Sequence, residues 1–164
     1  MFRKRRSYEA GHKAKFLVVI DDSPECDRAV YFASRRAARV AVTVVMLRVI
    51  ETQDHGQQWL GVADIMRAEA HEDAEATLDR ASGRASGIAA ITPERVIREG
   101  DPTEQILDVI DKDPDIAVMV LAANPGPEGP GPIITMMASV VGSFPIPITI
   151  VSGDLSDEDI DALS

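Results

Sequence analysis

Phe16 to Ile20, "FLVVI", is an unbroken apolar run rich in β-branched residues. A run without polar alternation suits a strand buried on both faces, the kind found in parallel sheets. Val42 to Ile50, "VTVVMLRVI", repeats the pattern. "ERVIRE" is a short third strand, and "DIAVMVLAA" a fourth that never alternates, which places it centrally. Ile146 to Val151, "IPITIV", closes the series.

Between these runs the apolar spacing changes to three and four. Ala29, Phe32, Ala33, Ala37 and Val40 form one helical stripe. Ahead of it, Ser23 is placed to cap and Pro24 to take the first helical position, with Glu25 and Asp27 near the positive end of the helix dipole. After a loop with Gly56 and Trp59 comes a long helix, striped by Ala63, Met66, Ala70, Ala74, Leu78, Ala81, Ala85 and Ile88. Its acidic residues, Glu69 through Glu75, read as a solvent face. Asp101 caps a third helix, Pro102 starts it, Glu104 completes a capping box and Pro114 stops it. "IITMMASVV" is a short fourth helix, where Met136 and Met137 serve as filler. Strands alternating with helices predict an α/β fold: a five-stranded parallel sheet, doubly wound, with helices on both faces. Residues 14–152 form the domain. Residues 1–13 are read as a flexible basic tail, and residues 153–164 as an acidic one.

In such sheets ligands bind at the carboxyl ends of strands. Asp21 to Ser23 lies at one such end, and "NPGPEGPGP", Asn124 to Pro132, at another. A glycine-rich loop between strand and helix often cradles phosphate through backbone N–H groups. Here Pro125, Pro127, Pro130 and Pro132 remove half of those donors from eight residues. Glu128 adds negative charge, and no Lys or Arg follows Lys112. The pattern favours a rigid connector.

The net charge of −10 disfavours nucleic acid as a partner, despite the cluster Arg3, Lys4, Arg5, Arg6. No apolar run reaches the ~18 residues of a membrane span, and no secretory signal is visible. One cysteine, Cys26, fits a reducing compartment, so the expected location is cytoplasmic. Cys26 sits near a helix start, but Glu25 and Asp27 oppose a thiolate, and a packed thiol is the reading. His12, His55 and His71 form no metal spacing and sit at no strand end; all three read as solvated. No Ser-His-Asp or Cys-His set assembles, so no catalytic residue is assigned. Asp22 helps the turn; Asp21 is the ligand residue if there is a ligand.

"FLVVIDDSPECDRAVYFA", "VVMLRVIE" and "FPIPITIV" resemble, in order and spacing, the opening, second-strand and closing segments of the universal stress protein family. The resemblance covers roughly residues 14 to 152, with Asp22 where many members carry glycine. It implies ribose and adenine contacts at Asp21 and Val49. The family's nucleotide-binding branch carries Gly-x2-Gly-x9-Gly-(Ser/Thr) after the fourth strand, and no register satisfies it here. Counted back from Pro145, the Gly-Ser position falls on Ile134 and Thr135, and the loop glycines near Leu121 and Asn124. Counted from Gly126 and Gly129, the third glycine falls on Ser139. Gly142-Ser143 precedes "FPIP" and opens no helix.

The resemblance therefore implies a non-enzymatic, cytoplasmic stress-response protein with no required cofactor, acting through a protein partner the sequence does not name. It also implies a homodimer through the edge strand Ile146–Val151, whose bare "ITIV" would otherwise invite aggregation. The alternative is an adenine-nucleotide switch or slow ATPase, binding ATP or AMP through Asp21, Val49, Gly126, Gly129, Gly131 and Thr135. A third class is an interaction module using the acidic helix and the Asp154 to Asp161 tail.

Overall fold

The structure, a computed structural model, describes residues 2–52 and 60–164; His55, Gly56 and Trp59 lie outside them. Five strands, β1 (Lys15–Val19), β2 (Thr43–Ile50), β3 (Glu94–Glu99), β4 (Ile116–Ala123) and β5 (Ile148–Ser152), form one parallel sheet in the order β3-β2-β1-β4-β5. Five helices, α1 (Cys26–Val40), α2 (Leu60–Ala89), α3 (Pro102–Lys112), α4 (Pro132–Met137) and α5 (Asp157–Leu163), cover it. The chain winds from β1 outward to β3, then crosses to β4 on the other side of β1, so strand order reverses between β1 and β4.

Strand alternation divides the core into two layers. Phe16, Val18, Val44, Met46 and Val120 face α1, α2 and α5. Leu17, Val19, Val45, Leu47, Met119 and Leu121 face α3 and α4. Because both faces are covered, β1 and β2 carry no polar alternation. Register pairs Leu17 with Val45 on one side and with Met119 on the other, in the middle of the sheet.

Several expectations are corrected. Ser23 caps no helix: α1 starts at Cys26 after Glu25, and the Ser23 hydroxyl instead donates to Asp21 Oδ1 at 2.5 Å. The α2 stripe is buried only from Ala74 onward, at Ala74, Leu78 and Ala85, while Met66 stands exposed beside Val62 and Ile65. The last segment is not a tail. Ser156 Oγ accepts from Asp159 N at 3.0 Å and Asp159 Oδ2 accepts from Ser156 N at 3.1 Å, a capping box that starts α5. Ile160 then enters the core fully buried. Arg28 donates to Asp157 and to the Leu155 carbonyl at 2.7 and 3.0 Å, and Tyr31 to Asp161 at 2.9 Å.

At the opposite end of the sheet, residues 3–12 lie along α3 and the start of β4. Arg6 N donates to Pro114 O at 2.8 Å. Arg5 Nη1 donates to the carbonyls of Ile110 and Asp113 at 2.5 and 3.0 Å, filling orphan acceptors at the helix end. His12, read as solvated, pairs half-buried with Asp115 at 2.7 Å. His71 pairs with Glu99 at 3.0 Å. Asp101 caps α3 as expected, accepting from Glu104 N at 3.0 Å.

The buried anchor of α5 gives a direct test. Ile160→Ala should cost about 2–5 kcal/mol in chemical denaturation. A loss below about 1 kcal/mol, the range of a surface site, would mean α5 is a loose tail.

Candidate functional site

At the carboxyl ends of β1 and β2 an open cleft of about 370 Å³ lies between α2, α3 and α4. Asp21, Val49, Asp73, Ile133 and Met136 are among its walls. That volume is at the low end of small-molecule sites, and its apolar lining is joined by the carboxylates of Asp21, Asp22, Glu51 and Asp73. Asp21 is held by an Asx turn: its Oδ1 accepts from Ser23 N at 3.0 Å and from the Ser23 hydroxyl. Its Oδ2 has no hydrogen-bond partner among the described residues, so it can accept from a ligand hydroxyl. Val49, half-buried at the end of β2, offers a flat apolar contact.

Sequence reasoning missed Arg48, which also lines this cleft. Its guanidinium donates to Asp22 Oδ2 at 2.9 Å and to the Ile20 carbonyl at 3.2 Å. The bond ties the end of β2 to the turn after β1. An arginine inside an apolar strand gave no motif signal; its place beside a strand's carboxyl end was the available clue.

The point where strand order reverses is different. Between β1 and β4 the crevice has a volume of about 10 Å³, room for one water. Gly131 and Pro132 close it from the β4 side, and Glu25 and Cys26 from the β1 side. Glu25 is only 9% exposed. Its Oε1 lies 3.1 Å from where a Cβ on Gly131 would stand. Its Cβ lies 3.1 Å from where one on Gly153 would stand. The side chain is wedged between the β4 loop and the exit of β5.

The loop itself is closed at its base, where Asn124 N donates to Pro130 O at 3.0 Å. Gly126 N is spent on Asn124 Oδ1 at 2.8 Å. Gly129 and Gly131 both have φ near +104°, a backbone conformation that glycine alone adopts without strain. Their glycines thus serve the turn. Thr135 Oγ1 donates to the Gly131 carbonyl at 2.8 Å, inside its own helix. Of the six residues proposed from sequence, Asp21 and Val49 share the open cleft. Gly131 joins Asp21 at the narrow crevice. Gly126, Gly129 and Thr135 line neither. With six residues, α4 also has little dipole to offer an anion.

Burial pushes the Cys26 thiol up from 9.0 to about 12, against a backbone hydrogen bond from Asp21 that favours the thiolate. Among the described residues no group of three or more His, Cys, Asp or Glu is arranged to hold a metal. No described helix is long and apolar enough to cross a membrane.

Residues 14–152 match the sequence pattern of the Universal stress protein family. A search of curated proteins gives no significant match. Among solved structures, UspA from Lactobacillus plantarum superposes with a TM-score of 0.72 at 20% identity, over 84% of this chain and 97% of that one. The Archaeoglobus fulgidus protein in complex with dAMP gives 0.61 at 18%, over 84% and 97%. A family protein from Arabidopsis thaliana with AMP bound gives 0.58 at 16%, over 88% and 94%.

Two predictions follow from the packing. Cys26 should resist alkylation at pH 8 in the native protein and react once denaturant is added; equal rates would show an open thiol. Its raised pKa adds stability that is whole below about 9 and is lost as pH rises toward about 12, because the unfolded thiol ionises first. Gly153→Ala would set a Cβ 2.7 Å from the Ala123 carbonyl oxygen. It should cost about 1–3 kcal/mol by urea denaturation, and a neutral effect would mean that β5 and the loop are not in this contact.

Proposed function

The chain belongs to the universal stress protein family, and from that premise we propose that it is a non-enzymatic regulatory domain whose cleft takes an adenine nucleoside or its monophosphate. The observation that carries this reading is the division of the site. An open cleft holds Asp21 and Val49, while the neighbouring phosphate position is closed by Glu25 and the proline-rich loop. A ribose hydroxyl would donate to Asp21 Oδ2, and adenine would lie against Val49, Ile133 and Met136. Relatives of the same fold in complex with dAMP and with AMP support this ligand class.

The slow ATPase has less support. Holding a triphosphate needs aligned N–H donors and cations. The loop's prolines lack the donors, no Lys or Arg occurs in the chain after Lys112, and Arg48 at the cleft is already paired with Asp22. The thiol of Cys26 is protonated at neutral pH, and His12 and His71 are paired with carboxylates and do not line the cleft.

The domain acts, in this proposal, as a cytoplasmic homodimer that signals ligand state to a protein partner. The edge position of β5 supports the dimer: Ile150 is 53% exposed, and the outer edge of β5 pairs with no other strand among the described residues. Two-fold pairing of that edge would cover it. Light scattering should give twice the chain mass; a monomer would overturn the dimer.

Thermal denaturation with added ligands tests the site. Adenosine or AMP at one hundred times its dissociation constant should add about 2.7 kcal/mol. For a chain of this size the midpoint should rise by roughly 5–10 °C. Asp21→Ala should abolish the shift, and ATP with magnesium should give no larger shift and no phosphate release. A larger shift with ATP, or release of phosphate, would contradict the proposal.

A further inference from the structure

The crevice where the loops after β1 and β4 converge is lined by two acidic side chains, Asp21 and Glu25, and by no basic one among the described residues. A phosphate attached to a ribose at Asp21 and directed toward the Gly131 loop would come up against the mouth of that crevice, beside Glu25. We infer that Glu25 is a specificity-determining residue that discriminates against phosphorylated ligands and sets the site's preference for the uncharged nucleoside. The inference rests on the reading of the cleft as a nucleoside site.

Three observations carry it. Glu25 is 9% exposed, so its charge is poorly screened by water. It is held in place: Gly131 and Gly153 both pack against it at distances that leave no room for a methyl group without adjustment. It also makes no ion pair among the described residues, unlike Asp22 with Arg48 and Asp27 with Arg28 and Arg84. A carboxylate with no cation beside it, fixed against the loop that would receive phosphate, repels a second negative charge. Only about 10 Å³ of the crevice is free, so a phosphate would stay at its mouth, where the Glu25 charge and not its shape decides the outcome.

The test is the ratio of AMP to adenosine affinity, measured by calorimetry on the full chain. Glu25→Gln keeps the shape and removes the charge; Glu25→Asp keeps the charge and serves as the control for packing changes. The ratio should rise about ten-fold or more in Glu25→Gln and stay near the native value in Glu25→Asp, as expected when a single like charge is removed. An unchanged ratio in Glu25→Gln, with adenosine still bound, would overturn the inference and leave the nucleoside reading standing. AMP binding only in Glu25→Gln, with adenosine bound by neither protein, would overturn the nucleoside reading and with it the preference inferred from it. Absence of binding by both ligands in both proteins would overturn both.

Discussion

Strand β1 is bonded to β2 on one side and to β4 on the other, and every feature of the site follows from that placement. Its residues are apolar on both faces because helices cover both. Its carboxyl end is therefore the one place where chains from the two halves of the sheet diverge. A parallel sheet must open somewhere along that line, and the side chains after β1 decide how wide. Here they close the β1–β4 gap and leave the β1–β2 side open.

The closing is done by ordinary packing. Glu25 ends the turn that Asp21 and Ser23 make, and it fits because Gly131 and Gly153 bring backbone where a side chain would be. The glycines of "NPGPEGPGP" thus answer to turn geometry and close approach. They do not supply a row of free donors, and the prolines between them cannot. The same loop is tied at its base by Asn124 N on the Pro130 carbonyl, and the end of β4 just before it is held by Gly153 N on the Ala123 carbonyl, at 2.8 Å. A rigid connector on one side of β1 and an open cleft on the other are two results of one arrangement.

Much of this was legible in the sequence. Continuous apolar runs announced β1, β2 and β4, and the Asp101-Pro102 pair announced α3, because those signals depend on local chemistry. The loss of backbone donors from the loop was also legible from its four prolines. Other features depended on tertiary contacts. Helix α5 was read as a tail because acidic residues dominate it; only Ile160 and the Ser156–Asp159 spacing hinted at a capped, anchored helix. Glu25 read as a partner for the dipole of α1, since nothing local reveals that two glycines from distant loops converge on it. Arg48 was hidden in an apolar strand. Thr135 matched by counting, yet its hydroxyl is taken by the turn before it.

The central claim is that ligands occupy the β1–β2 side and avoid the β4 loop. Amide chemical shifts followed by NMR during titration with AMP address it residue by residue. The account predicts changes at Asp21, Asp22, Val49 and Ile50, with Gly126, Gly129 and Gly131 unmoved. Progressive shifts of those three glycine amides, saturating together with Asp21, would show phosphate seated on the loop and would contradict it.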